Sequence, residues 1–342
     1  MSIRRIHVGL AGVANHGTTI LNAIRASGNL QMVACFDVNA KASGLAAEQN
    51  GARAAASYED LLADSRVEAI ALATPNHLHA EQAAAAVAAG KHLFVEKPIT
   101  TSIAEAREMI EAYRKAGLVL MVGHNTRRRQ VFRRAHTLLQ EGKIGTIVAI
   151  EGNLSRPAGL QPGMPAWKAD PRACPLLPMT QLGIHLVDTV EYLVGPIARV
   201  SCAAASMAMH GGVYDTTAAL LQLQNGVPFT LGSYYVTPDA YFLRLYGTQG
   251  ILHCFPASMT VERMEEGRPP SVVDEQFPQE GLRSYELQMK EFGECVLHGT
   301  KPETDGETGL RALAVIEGMT ESVRQGGAMI DVDALLDVHA PA

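Results

Sequence analysis

The sequence predicts an α/β domain with a parallel sheet over residues 1–123, followed by an α+β domain with a largely antiparallel sheet over residues 124–342. Three observations predict this. At 342 residues the chain is longer than one apolar core usually serves, so two cores are expected. From Ile6 to about Gly123 short β-type runs alternate with helical stretches rich in Ala, Glu and Leu, the pattern of βαβ units. After His124 that alternation stops. From Val200 to about Val261 strand runs succeed one another across turn signals such as Asn225-Gly226 and Gly247-Thr248.

In chain order, the first domain's strands are expected at Ile6–Ala11, Gln31–Asp37, Glu68–Ala73, Lys91–Val95 and Leu118–Val122. Ala80–Ala89 reads as a crossover helix, because Gly90 supplies a C′ residue and a strand run follows at once. The second domain should open with a basic helix around Arg127–Gln140, ended near Gly142, and a strand at Thr146–Leu154. A Pro/Gly-rich loop from Pro157 to Pro178 precedes a helix around Gln181–Leu193, and two helices near Tyr285–Leu297 and Gly306–Ser322 follow the strands.

Composition narrows the function. The formal net charge of −6 would repel a phosphate backbone, and no run of basic and aromatic residues offers base stacking, so nucleic acid is excluded as a partner. Cys35, Cys174, Cys202, Cys254 and Cys295 include no C-x-x-C pair, which points to reduced thiols in a cytoplasmic protein rather than disulfides or zinc. The opening Met1-Ser2-Ile3-Arg4-Arg5 and the few apolar residues before Gly9 are too short for a signal segment or a membrane span.

The first turn reads Gly9-Leu10-Ala11-Gly12-Val13-Ala14-Asn15-His16-Gly17, a G-x-A-x-x-G version of the dinucleotide fingerprint. Gly12 permits the tight strand-to-helix turn and Gly17 the close packing of helix on strand, while Ala14 adds a methyl group where backbone should approach a pyrophosphate. The helix N-terminus still favours the anion. Asp37 ends the second strand, where an acid can bind the adenosine ribose hydroxyls and repel a 2′-phosphate. With no arginine at Val38-Asn39, NAD is expected over NADP.

Two further stretches bring reactive side chains to expected strand ends: Thr74-Pro75-Asn76-His77-Leu78-His79, and Glu96-Lys97-Pro98, whose proline ends the ladder. Combined with Ala89–Pro98 (A-G-K-H-x-x-x-E-K-P), Val122-Gly123-His124-Asn125, Gly142-Lys143-Ile144-Gly145, Trp167-Lys168-Ala169-Asp170-Pro171 and Leu182-Gly183-Ile184-His185-Leu186-Val187-Asp188, the chain resembles the Gfo/Idh/MocA oxidoreductase family over nearly its whole length. The resemblance implies a Rossmann domain carrying NAD(P), with the nicotinamide between Lys97 and a second-domain helix bearing His185. Cofactor-side candidates are Gly12, Ala14, Asn15, His16, Gly17, Asp37, Thr74, Pro75, Asn76, His79, Glu96 and Lys97. Substrate-side candidates are Asn125, Arg127, Trp167, Lys168 and Gln181.

Chemistry agrees with these roles. Oxidising a secondary alcohol needs a base for its proton, and imidazole, with a reference pKa of about 6.5, suits that task at His185. Lys97 would polarise the alcohol oxygen or share the proton, its reference pKa of about 10.4 being lowered by burial and by a positive nicotinamide. The expected reaction is hydride transfer between nicotinamide and a ring hydroxyl of a sugar, inositol or other polyol. Gln181 departs from the family's usual aspartate four residues before the histidine, and Cys174-Pro175-Leu176-Leu177-Pro178 replaces a glycine-rich turn, giving a stiffer, more apolar wall.

Arg127-Arg128-Arg129 with Arg133 and Arg134 is read first as a solvated basic face, and second as a grip on an acidic substrate group through Arg127 or Arg128. His79 is expected near the nicotinamide edge and His77 exposed at a helix start. No histidine has a companion at metal-ligand spacing, so no metal is expected. A non-catalytic dinucleotide-binding regulator and a reductase of imines or conjugated double bonds remain as alternatives. The strand-rich second domain should expose a sheet face that a second copy covers, giving a homodimer or homotetramer.

Overall fold

The computed structural model describes residues 4–265 and 267–338; the expectation drawn from residues 1–3 lies outside them. The chain divides into two compact units, Met1–Asn125 with Gly281–Arg311, and Thr126–Glu280 with Ala312–Ala342.

The first unit holds β1 (Ile6–Ala11), α1 (His16–Ser27), β2 (Leu30–Phe36), α2 (Ala40–Asn50), β3 (Arg53–Ala54), α3 (Tyr58–Ala63), β4 (Ala69–Leu72), α4 (His79–Ala88), β5 (His92–Val95), α5 (Ile103–Ala116) and β6 (Leu120–Val122). Its six strands lie in the order β3-β2-β1-β4-β5-β6, with parallel pairing throughout. This is the doubly wound dinucleotide-binding order. β4 and β6 are buried at every position, as a parallel sheet covered on both faces requires. Gly90 takes φ +70° just after α4, the left-handed conformation that ends that helix.

Residues Gly281–Arg311, assigned to the second domain on sequence, pack with this first unit. Their helix, α8 (Arg283–His298), contributes Met289, Phe292 and Cys295 to the core that contains Ile20, Ile24 and Phe94. Phe292 meets Phe94 with ring centroids 6.0 Å apart, and the Asn29 amide donates to Lys290 O at 2.8 Å. Gly293 makes the approach possible, since a Cβ there would stand 2.6 Å from Asn29 Nδ2.

The second unit is built on α6 (Gln130–Gln140), β7 (Ile147–Ser155), α7 (Ile184–Leu193), β8 (Ile197–Ala205), β9 (Thr216–Leu223), β10 (Pro228–Tyr234), β11 (Ala240–Gly247), β12 (Gly250–Cys254), β13 (Ser258–Glu265) and β14 (Arg268–Gln276). The later part of α9 (Gly306–Arg324), with β15 (Ile330–Asp331) and α10 (Val332–Val338), completes it. The nine strands run β14-β13-β12-β11-β7-β10-β9-β8-β15, and pairing is antiparallel except between β7 and β10. β9 alternates buried Thr217, Ala219, Leu221 and Leu223 with outward residues, so one face packs inward and the other is open. β14 extends the sheet beyond the expected limit near Val261. Its Pro269-Pro270 pair reads as a breaker, but an edge strand tolerates prolines.

Candidate active site

In the first unit the residues singled out on sequence gather at the carboxyl ends of the parallel strands, where open α/β sheets bind ligands. Gly12 follows β1 at φ +82°, and a Cβ on it would lie 2.6 Å from Ala73 O, so conformation and space both demand glycine. A Cβ on Gly17 would overlap the Gly12 carbonyl oxygen. Between them Asn15 sits at φ 50°, ψ −114°, and Gly17 N–H donates to Ala14 O at 2.9 Å. That is a type II′ turn with asparagine in the position that favours glycine. The cradle into α1 is thus formed despite Ala14.

Asp37, just past β2, is half-buried and does more than the sequence indicates. Its Oδ2 accepts from Val13 N at 2.9 Å and Ala14 N at 3.2 Å, and its Oδ1 from Asn39 N at 2.9 Å, so it ties the glycine turn to the end of β2. Val38 beside it is 93% exposed, and the Asn39 side chain is engaged in capping α2.

Beyond β5, Glu96 is buried with Lys97 half-buried beside it, and the Lys97–Pro98 peptide is cis. Glu96 Oε2 accepts from Lys97 N at 3.2 Å, and His16 Nε2 lies 3.2 Å from Glu96 Oε1, at ion-pair distance without hydrogen-bond alignment. Burial pushes the Glu96 carboxyl up, but His16 and Lys97 outweigh it and hold the group below the usual carboxylate range. Gly123 backs this carboxylate: a Cβ there would come within 2.8 Å of it. Sequence reading grouped Gly123 with the family motif without seeing that purpose. His16 also meets the Tyr285 ring edge-on at 5.6 Å, which places it between Glu96 and α8.

His79, expected near a nicotinamide edge, is fully buried. Its Nδ1 lies 2.9 Å from Pro98 O and its Nε2 3.1 Å from Thr74 O, so both ring nitrogens face carbonyls and the imidazole staples the loop after β4 to the loop after β5. Thr74 Oγ1 donates to Gln82 Oε1 at 2.6 Å, Asn76 is buried, Pro75 is half-buried, and His77 is exposed as anticipated. Asn125, an expected substrate contact, is buried and donates to Ser284 Oγ at 2.9 Å, fastening the end of the β6 loop to α8.

In the second unit His185 lies in the first turn of α7, half-buried, with Nδ1 3.2 Å from Thr126 Oγ1. The turn before it, Met179–Gly183, is π-helical rather than the start of an α-helix, and carries Gln181, whose Nε2 reaches Cys174 Sγ at 3.4 Å. Inserted π turns recur at functional sites. Trp167 and Lys168 stand in a short helical turn, Ala166–Ala169, with the ammonium 5.7 Å from the indole centroid. Burial pulls Lys168 below its ordinary range, and no carboxylate pairs with it among the described residues.

The arginine run fits neither reading made from sequence. Arg127 is buried, and its Nε and Nη2 donate to Asp188 Oδ2 at 3.0 Å and Oδ1 at 2.5 Å, a bidentate pair inside the unit rather than a grip on substrate. Arg128 is 2% exposed. Arg127 and Arg133 both stack on Tyr192, Arg129 lies over Tyr241, and Arg134 pairs with Glu275. α7 presents Asp188 and Tyr192 one turn apart, a matched site for guanidinium groups. The H-L-V-D spacing held that signal.

All five cysteines are buried and unbridged. Among the described residues no three His, Cys, Asp or Glu side chains gather as metal ligands, and no helix is long and apolar enough to cross a membrane.

Residues 6–124 match the model of an oxidoreductase family with an NAD-binding Rossmann fold, and residues 132–253 match the Gfo/Idh/MocA C-terminal domain. The chain belongs to the Gfo/Idh/MocA family. This member is therefore an oxidoreductase whose first unit is an NAD(P)-binding Rossmann fold. It is 27% identical to 1,5-anhydro-D-fructose reductase of Ensifer adhaerens, over 90% of this chain and 93% of that one. It is 28% identical to D-xylose 1-dehydrogenase (NADP(+)) 2 of Haloferax volcanii, over 94% and 98%. Levoglucosan dehydrogenase in complex with NADH and levoglucosan matches in fold, with a TM-score of 0.88 at 20% identity over 96% of this chain and 100% of that chain.

Proposed function

We propose that this Gfo/Idh/MocA oxidoreductase interconverts a secondary hydroxyl of a sugar, inositol or related polyol with the ketone, using NAD, with Lys97 and His185 at the reaction centre. The observation that carries the proposal is the cradle at the carboxyl edge of the first sheet, where Gly12, Gly17 and Asp37 form a dinucleotide turn and β5 delivers Lys97 beside it. These residues fit NAD: the turn admits no side chain at Gly12 or Gly17, and Asp37 stands at the end of β2.

When bound, the nicotinamide supplies the hydride acceptor or donor. The chain's residues supply the rest. Thr126 engages Nδ1 of His185 and holds the ring, and the imidazole exchanges the proton with the hydroxyl. The ammonium of Lys97 polarises the hydroxyl oxygen, and the Glu96 carboxylate, anionic through His16, steadies the backbone under it. Gln181 offers hydrogen bonds without the charge of an aspartate, and Trp167 with Lys168 contacts the sugar. The names of the relatives, a sugar reductase and a sugar dehydrogenase, support this substrate class.

Asp37 and the lack of a cation at Val38-Asn39 favour NAD, because a 2′-phosphate would face a carboxylate with no arginine to offset it. A homodimer or homotetramer through the open sheet face of the second unit, where Leu220 is 46% exposed, and a cytoplasmic location belong to the same proposal. The test is absorbance of reduced nicotinamide with a panel of sugars, inositols and dihydrodiols and both dinucleotides. Turnover of a polyol with a preference for NAD supports the proposal. Equal or better use of NADP refutes the cofactor assignment, and inactivity with the whole panel despite NAD binding refutes the substrate class.

A further inference from the structure

On the reading above, the second unit contributes Gln181 and His185 to the substrate side, and the inference here rests on it. Beside Gln181 that unit has an apolar cluster. Cys174 and Tyr235 are buried in it, and Trp167, Leu182 and Met209 pack against them. Met209 comes from residues 206–214, which join β8 to β9 without helix or strand and include Gly211 and Gly212 at φ +82° and +72°.

No backbone ladder shapes that loop; Asp215 does. Its side chain is fully buried. Its Oδ2 accepts from Ala208 N and Met209 N, each at 2.7 Å, both its oxygens face Met207 N at 2.9 and 3.0 Å, and Thr216 Oγ1 donates to Oδ1 at 3.0 Å. Burial pushes this carboxyl up, but the converging N–H groups outweigh it and hold it below its ordinary range, so it is anionic at neutral pH. The loop wound around this anion seats Met209 on Gly159, where a Cβ would stand 2.6 Å from Met209 Sδ and 3.0 Å from Tyr235 O. Only a residue without a side chain admits the thioether there.

We propose that Asp215 is a positioning residue for substrate selection: it folds residues 206–214 so that Met209, seated on Gly159, completes an apolar wall that receives a deoxy or anhydro edge of the sugar ring. A hydroxyl turned against Met209 and Leu182 would lose its water and find no partner on those side chains, which is how an apolar surface discriminates, while Gln181 and Trp167 serve the hydroxyls on the rest of the ring.

The experiment compares wild type, Asp215→Ala, Asp215→Asn, Met209→Ala and Met207→Ala, the last a control because its side chain is 71% exposed. kcat and KM are measured for a parent sugar and its deoxy and anhydro forms, and amide hydrogen exchange is followed in residues 206–214. Wild type should favour the deoxy or anhydro form by about tenfold in kcat/KM, and Asp215→Ala and Met209→Ala should each erase most of that ratio through KM. Exchange should quicken in Asp215→Ala and not in Met209→Ala, with Asp215→Asn intermediate and Met207→Ala like wild type. A wild type that prefers the fully hydroxylated sugar overturns the proposal, as does Asp215→Ala with unchanged exchange or an unchanged ratio. If wild type reduces no dinucleotide with any substrate, the underlying functional reading fails, and this inference falls with it.

Discussion

Replacing Arg127 by methionine should cost the second unit about 3–5 kcal/mol, because it takes a bidentate guanidinium partner from a buried carboxylate at Asp188. The two side chains are 8% and 1% exposed, and the guanidinium donates to both carboxylate oxygens and, at 3.2 Å, to Asp188 O. Water cannot replace those donors at such burial. The loss is a large share of the roughly 5–15 kcal/mol that holds a typical domain together. Trp167 is the chain's single tryptophan and lies in this unit, so its fluorescence in a urea titration follows the unfolding that matters. The double variant Arg127→Met with Asp188→Leu removes both charges and should recover most of the loss, giving a strongly non-additive cycle. Activity gives a second reading. Thr126, adjacent to Arg127, holds His185, so the single variant should lower kcat for neutral sugars. An Arg127 that gripped substrate would instead raise KM for acidic sugars alone. A single variant within about 1 kcal/mol of wild type, or a purely acid-specific KM effect, would refute the reasoning.

Asn15→Gly should raise stability by about 1 kcal/mol, since glycine relieves the positive φ of the II′ turn; a lower melting temperature would contradict this. Gly123→Ala should cost about 1–3 kcal/mol and weaken NAD binding, because the new methyl group meets the Glu96 carboxyl at 2.8 Å; calorimetry of both properties decides. Burial lowers the pKa of His79 and of His92, so both are neutral in the fold and titrate near about 6.5 when unfolded. Their stability contribution is then complete above that value and declines as pH falls through it, by at most about 1.4 kcal/mol per unit for each group. Denaturation midpoints that stay flat from pH 7.5 to roughly pH 5.5 would show that neither ring is held neutral.

Local signals carried the first unit well. β1 runs from Ile6 to Ala11 as read, and Gly12, Gly17 and Asp37 stand where strand, turn and helix propensities place them. What escaped depends on partners distant in sequence. Asn29 finds Lys290 across 261 positions, so no window of sequence reveals that α8 packs with the first unit. The arginine run was visible, but its burial is set by Asp188 and Tyr192 on α7. His79 reads as a cofactor-side residue, and only the fold shows that Pro98 and Thr74 stand on either side of its ring. Asp215 looks like an ordinary acid opening a strand, because the backbone amides it collects belong to no motif.

The most direct test of the central assignment is the single-turnover rate of hydride transfer in Lys97→Ala and His185→Ala, measured with saturating NAD and the best polyol found for wild type. Both variants should bind the dinucleotide, by fluorescence titration, yet transfer hydride on the order of 100-fold or more slowly, as expected when a general acid/base or its polarising partner is lost. If either variant binds NAD and transfers hydride at the wild-type rate, that residue has no part in the chemistry and the assignment is wrong.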